Sequence, residues 1–96
     1  MITTQRGHFW LHFDNGYSIS IFNDWGSYSN NRDNNELAKS FLEQKNVKVS
    51  SVNCEIAILK DDEGFVTREI LNCEEDIKGY VDVNELVEII NKVKNL

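Results

Sequence analysis

Asp14-Asn15-Gly16 constrains this chain more than any other stretch. It separates GHFWLHF (7–13) from YSISIFN (17–23), two short runs rich in aromatic and β-branched residues. A turn triplet of that kind between strand-forming runs signals a β-hairpin. Two registers compete. A two-residue Asn15-Gly16 loop sets Phe13 opposite Ser18 and Leu11 opposite Ser20. A three-residue loop, with Gly16 left-handed as a bulge, sets Phe13 opposite Tyr17, Leu11 opposite Ile19 and Phe9 opposite Ile21. Only the second makes one continuous apolar face, and a one-residue slip would destroy it. The three-residue loop is therefore expected, with Phe9, Leu11, Phe13, Tyr17, Ile19 and Ile21 in the core. The opposite face then carries His8, Trp10, His12, Ser18, Ser20 and Phe22, and is too polar for an ordinary core. Trp10, His12 and Phe22 are interface candidates on that face, because aromatic residues are favoured at interfaces. A homo-oligomer is expected.

The rest of the chain supplies partners for this hairpin. Residues 1–5 are expected to be frayed or weakly paired. Asp24 to Asn35 (DWGSYSNNRDNN) is a loop. Glu36 to Lys45 has Leu37, Phe41 and Leu42 at helical spacing and can form a short helix capped by Asn34 or Asn35. Asn46 to Ser50 is a connector. Ser51 to Lys60 alternates as a strand, with Val52, Cys54, Ile56 and Ile58 on one face. Asp61-Asp62-Glu63-Gly64 is a turn, and Phe65 to Leu71 a fourth strand. An acidic connector runs over 72–79, and Tyr80 and Val81 form a short extended piece. Asp82 is the expected N-cap of a closing helix that runs to about Asn95, with Glu85 completing a capping box. Its apolar stripe is Val83, Leu86, Val87, Ile89, Ile90 and Val93. A lone helix of that length is only marginally stable, so it must cover a sheet. The expected fold is α+β: one domain over 1–96, a four-stranded antiparallel sheet of two hairpins, packed against a C-terminal helix, with an optional second short helix.

Composition narrows the function classes. Ten basic and 16 acidic side chains give a net charge of −6 across 96 residues. That balance repels phosphate backbones, so no nucleic acid is expected as a partner. No apolar run reaches a membrane span, and MITTQRGHF lacks a signal-peptide core. A cytoplasmic location is expected, without membrane contact. Cys54 and Cys73 are then free thiols, and nothing in the sequence requires them to pair.

The usual chemical constellations are missing. His8 and His12 share a strand face but lie about 13 Å apart at roughly 3.3 Å per residue, too far to share a metal. Cys54 sits on an apolar face, where thiols are inert packing. Cys73 has Glu74, Glu75 and Asp76 beside it, which disfavour a thiolate. Asp61-Asp62-Glu63 lacks the alternating oxygen ligands of a calcium loop and reads as a solvated turn. Gly26 has no following helix start with Lys, so the loop is no Gly-rich phosphate-binding loop. Neither a metal nor a cofactor is expected, and catalysis is not expected. The loop is the better candidate. Trp25 and Tyr28 offer flat faces for stacking, and Gly26 permits close backbone approach. Ser27, Ser29, Asn30 and Asn31 offer donors and acceptors, and Arg32 offers a fork for phosphate or carboxylate. Together Trp25, Gly26, Ser27, Tyr28, Asn30, Asn31 and Arg32 have the components of a site for a small polar, nucleotide-like ligand. Alternatively, Trp25 and Tyr28 fold back over the sheet and the asparagines are solvated.

FDNGYSISIFNDWGSYSNN, then NCEIAI, then IKGYVDVNELVEII resembles a loosely defined group of small uncharacterised proteins of phages and mobile elements. The group shows an Asn-Gly hairpin, a Gly/Tyr/Asn loop, a Cys-containing strand and a closing helix. Asn15, Gly16, Gly26, Tyr28 and Asn31 match that pattern, whereas Asp24-Trp25 stands where a Gly-containing pair is expected. The resemblance implies a phage origin, hence the cytoplasm of a bacterial host, and no particular activity. Small accessory phage proteins without catalytic constellations work by binding. The expected function is counter-defence by stoichiometric sequestration of a nucleotide-derived immune signal. The alternatives are an acidic inhibitor of a basic host defence protein, such as a CRISPR nuclease, and a non-enzymatic homo-oligomeric interaction module.

Overall fold

In the computed structural model, which describes residues 1–96, ten elements follow one another. They are β1 (Ile2–Gln5), β2 (His8–His12), β3 (Tyr17–Phe22), α1 (Asn35–Leu42), β4 (Lys48–Ser51), β5 (Asn53–Lys60), β6 (Gly64–Phe65), α2 (Thr67–Leu71), β7 (Lys78–Asp82) and α3 (Val83–Lys94). The fold is α+β, with an antiparallel sheet and a C-terminal helix. The sheet has five strands, and a separate two-stranded ribbon pairs β1 with β4, so the expectation of four strands is corrected.

The central hairpin forms in the three-residue register. Phe9 pairs with Ile21 and Leu11 with Ile19. The Phe13 amide donates to the Tyr17 carbonyl at 2.9 Å and the Gly16 amide to the Phe13 carbonyl at 3.3 Å. Gly16 sits at φ +87°, the left-handed conformation that this bulge needs. Ile19 and Ile21 are fully buried, and Phe9, Leu11, Phe13 and Tyr17 pack against them half-buried. Asn15 also ties the turn to α3, its amide donating to the Val93 carbonyl at 2.9 Å.

β5 is the middle of the sheet. One side pairs with β3, matching Ile19 with Ile58 and Ile21 with Ile56. The other side is divided between two short partners. β6 takes one end, with Leu59 opposite Phe65, and β7 takes the other, with Cys54 opposite Val81. The extended piece expected at Tyr80–Val81 is thus a full edge strand. The strand expected over 65–71 stops after Phe65 and becomes α2. Thr67 explains the change. Its buried hydroxyl accepts the Ile58 amide at 2.8 Å and lies 3.3 Å from the Ile58 carbonyl. A side chain therefore satisfies the groups of β5 that a longer β6 would have paired.

The ends of the chain also depart from expectation. Residues 2–5 are a paired strand, in which Ile2 and Thr4 are buried. Their partner β4 replaces most of the expected connector over 46–50, in the register Ile2 to Ser51 and Gln5 to Lys48. Ser51 ends β4, so the strand expected over 51–60 is split. Val52 at the break is 50% exposed, while Cys54, Ile56 and Ile58 are buried as expected. α1 is capped by Asn34, whose side chain accepts the Leu37 amide at 3.0 Å, and it ends at Leu42, short of Lys45. No residue of α1 is buried.

α3 starts as expected, with the Asp82 carboxylate accepting the Glu85 amide at 2.8 Å. The return half of the capping box does not form, because the Glu85 carboxylate takes the Lys78 ammonium at 3.0 Å. Leu86, Ile89 and Val93 are buried, whereas Val83 and Val87 are exposed. The buried stripe is therefore centred on Ile89 and narrower than expected. With Ile2, Ile19, Ile21, Cys54, Ile56, Ile58 and Val81, these helix residues make the single core. No helix is long and apolar enough to cross a membrane.

Candidate functional site

The loop after β3 begins with two buried polar residues. Asn23 has no solvent exposure. Its carbonyl oxygen accepts from the Thr4 hydroxyl at 2.7 Å. Its amide nitrogen reaches the Ile2 carbonyl at 3.2 Å, the Val49 carbonyl at 3.3 Å and the Ser51 hydroxyl at 3.0 Å. One side chain thereby fastens the β1–β4 ribbon to the sheet. Asp24 is equally buried and receives the fork of Arg6, with Nε to Oδ2 and Nη2 to Oδ1 each at 2.8 Å. The Trp25 amide adds a third bond to Oδ1 at 2.8 Å. Gly7, at φ +88°, must be glycine, since a Cβ there would lie 2.1 Å from the Asp24 Cβ.

The following residues are largely consumed in folding the loop itself. Ser27 donates to the Asp24 carbonyl at 2.7 Å and its hydroxyl lies 2.6 Å from that of Ser29. Asn31 donates to the Asn23 carbonyl at 2.8 Å and the Ser50 carbonyl at 3.1 Å. All three side chains are buried, and no buried side-chain polar atom in the chain lacks a partner. Ser27 and Asn31, expected to face a ligand, instead hold the loop shape. Short polar side chains commonly do this by bonding nearby backbone. Asn30 is anchored as well, exchanging bonds of 2.8 and 3.0 Å with the Asn53 side chain.

Trp25, Gly26, Tyr28 and Arg32 remain open to solvent or partly so, but they do not converge. The Trp25 ring lies 6.0 Å from Phe41 of α1, and the Arg6 guanidinium lies 5.7 Å over the same Phe41 ring. Tyr28 turns toward β7. Its carbonyl accepts the Tyr80 amide at 2.8 Å, and its own amide donates to Glu55 at 3.1 Å. The Arg32 guanidinium stacks 4.1 Å over the Tyr28 ring, while its Nη1 holds the Gly26 carbonyl at 3.0 Å. The expected single site over 25–32 is therefore divided in two.

The Tyr28 half has the better ligand geometry. A hollow of about 400 Å³ is lined by Tyr28, Glu75, Ile77, Gly79 and Tyr80. Tyr28 and Tyr80 are 43% and 54% exposed, so two aromatic faces border it. Gly79 permits the close approach, because a Cβ there would sit 2.5 Å from the Tyr28 Cβ. Tyr80 adopts φ +54°, rare for an aromatic residue. Arg32 backs Tyr28 with a cation whose remaining N–H groups can bind an anion. Glu75, Ile77, Gly79 and Tyr80 were absent from the sequence expectation, which stopped at Arg32. Their one signal is Gly79-Tyr80, an aromatic beside a glycine just before a helix cap.

The other reactive side chains are accounted for. Burial, with Glu85 and Glu55 adding, pushes the Cys54 thiol up to about 12. Cys54 and Cys73 are both free thiols. The Cys73 thiol faces the Thr67 and Glu75 carbonyls at 3.8 and 3.4 Å. His8 bonds the Ser20 hydroxyl at 2.7 Å. No group of three or more His, Cys, Asp or Glu side chains is placed to hold a metal ion. Of the interface candidates, Trp10 and His12 are exposed, and Phe22 is half-buried with its ring edge-on to His8 at 5.6 Å.

No family model, curated protein or solved structure matches the chain.

Proposed function

We propose that this chain acts by stoichiometric binding, as a phage-type counter-defence protein that sequesters a nucleotide-derived immune signal. The observation that carries the reading is the hollow bordered by exposed Tyr28 and Tyr80, with Arg32 stacked on the Tyr28 ring. A nucleobase stacks on aromatic faces, a contact worth about 1–3 kcal/mol per base. Arg32 supplies a fork for phosphate, and Glu75 can accept from an exocyclic amino group. The phage part of the reading rests on the resemblance of the hairpin, loop and closing helix. In an assay of thermal stability against a panel of mono-, di- and cyclic nucleotides, at least one should raise the melting temperature. Tyr80→Ala and Arg32→Ala should each remove that shift while the free proteins melt near wild type. No shift with any nucleotide would end this reading.

A second reading, an inhibitor that covers a basic host protein, is favoured by two exposed acidic clusters, Asp61-Asp62-Glu63 and Glu74-Glu75-Asp76. It predicts capture of a host protein whose binding weakens steeply with salt.

A further inference from the structure

β2 is the outer strand of the five-stranded sheet and pairs only with β3. The Asn23 amide bonds the Gly7 carbonyl at 2.8 Å, and the Phe13 amide bonds the Tyr17 carbonyl at 2.9 Å. In an antiparallel pair the hydrogen-bonded positions alternate, so Phe9 and Leu11 also bond inward. The main-chain N–H and C=O groups of His8, Trp10 and His12 therefore point away from the sheet, toward solvent.

Exposed edges are ordinarily blunted by Lys, Pro, bulges or cover. This one has none of them. Gly7 to Phe13 contains no charged residue, in a chain where 27% of residues are charged. The side chains of the same three residues form an exposed aromatic row. His8 and Trp10 have ring centroids 5.5 Å apart, and Trp10 and His12 stack at 6.0 Å with 11° between planes. Main-chain groups at this spacing form a ready template for another β-strand.

We propose that β2 pairs antiparallel with β2 of a second copy, about a two-fold axis at Trp10, joining the two five-stranded sheets edge to edge. The pairing is self-complementary, as a two-fold contact requires. Trp10 meets the partner's Trp10, and His8 meets the partner's His12 on the same face. Charge selects this arrangement. Two copies of net charge −6 repel, and the edge is a stretch where neither presents charge. Asp14 follows Trp10 by four residues and Arg6 precedes it by four. Arg6 is already neutralised by Asp24, so the deciding charge is Asp14: antiparallel pairing holds the two Asp14 residues at opposite ends of the contact, whereas parallel pairing sets Asp14 beside Asp14. The contact is at the edge and not through Phe22, which stays behind the row. The Tyr28–Tyr80 hollow lies across the sheet at β7, so the dimer leaves it open and does not depend on the ligand reading.

Light scattering coupled to size exclusion should find a dimer for the wild type. Trp10→Lys and Trp10→Glu, each placing like charges opposite one another on the two-fold axis, should give monomers with wild-type circular dichroism. Phe65→Lys, exposed at β6 on the other side of the sheet, should remain dimeric. Amide exchange of the wild type by NMR needs no variant. The His8, Trp10 and His12 amides should slow by on the order of tenfold or more as concentration drives dimerisation, while Phe9 and Leu11 stay slow throughout. A monomer at millimolar concentration, a dimer that survives both charged variants, or a dimer whose three outward amides exchange fast would each overturn the proposal.

Discussion

Asp24 carries its carboxylate into a site with no solvent contact, and the Arg6 guanidinium answers it from the opposite wall. A buried ion pair is weak evidence of net stabilisation, but removing one member strands the other. Asp24→Asn should therefore cost about 3 kcal/mol in urea unfolding. Cys54 makes a second prediction at this scale. Its thiol keeps its proton up to about 12 in the folded chain, against an ordinary value of 9.0. The native state then binds more protons than the unfolded state as pH rises above 9.0, so stability falls with pH through that window toward about 12. Cys54→Ala should lose stability at neutral pH through its cavity and show a shallower alkaline decline than wild type. Alkylation at pH 8 gives the companion readout. Mass spectrometry should find one adduct, on half-exposed Cys73, in the folded protein, and two after denaturation.

At the scale of elements, α2 exists because a hydroxyl does the work of a strand. Thr67→Val keeps the shape of the side chain but leaves the Ile58 amide buried without its acceptor. Its expected cost is about 1–3 kcal/mol, the penalty for an unsatisfied buried donor, measured by chemical denaturation. The substitution that keeps an acceptor, Thr67→Ser, should cost less. Thr67 also shows why part of the fold was illegible in sequence. FVTREIL follows a strand and a turn, which favours a returning strand, and the Ile58 amide that Thr67 takes instead lies on β5, outside any local reading. The hairpin at Asn15-Gly16 and the Asp82 cap of α3 were legible because their determinants lie within a few residues. The β1–β4 ribbon was not, since Ile2 and Ser51 are joined only by the folded chain, and neither four-residue strand carries a distinctive local pattern. The site divides in the same way. Tyr28 and Arg32 were visible as chemistry in one loop. Gly79 and Tyr80, which complete the hollow, come from a strand about fifty residues later, and Ser27 and Asn31 mimic ligand-binding residues because loop-folding and ligand-binding draw on the same side chains.

For the whole molecule, the question is whether ribbon and sheet unfold together. The ribbon has its own ladder, and it joins the body through Asn23, the Arg6–Asp24 pair, the Asn31 bond to Ser50 and the Ile2 side chain in the core. Three of those four links are polar, and two of them converge on adjacent residues. Asn23→Ala removes one of them at a stroke, along with the bonds to Thr4, Ile2, Val49 and Ser51. Local opening free energies track such links. Hydrogen exchange in this variant should therefore show Thr4 and Val49, a bonded pair of the ribbon ladder, opening at much lower free energy than before. Ile19 and Ile58, in the sheet centre, should fall only by the loss in global stability. Equal losses at all four positions would mean that ribbon and sheet form one cooperative unit. The proposed ligand site lies downstream of the same link. Asn31 holds the Tyr28 loop through the Asn23 and Ser50 carbonyls, one on the sheet side and one on the ribbon. A ribbon that opens more often takes Ser50 with it, and Tyr28 then leaves Gly79 for part of the time. Nucleotide affinity in Asn23→Ala should fall by the fraction of molecules in which the ribbon is open, while binding chemistry at Arg32 is untouched. Titration at low temperature, where the ribbon is more often closed, should recover part of that loss. A nucleotide affinity in Asn23→Ala equal to wild type, with the ribbon shown open by exchange, would separate the hollow from the ribbon.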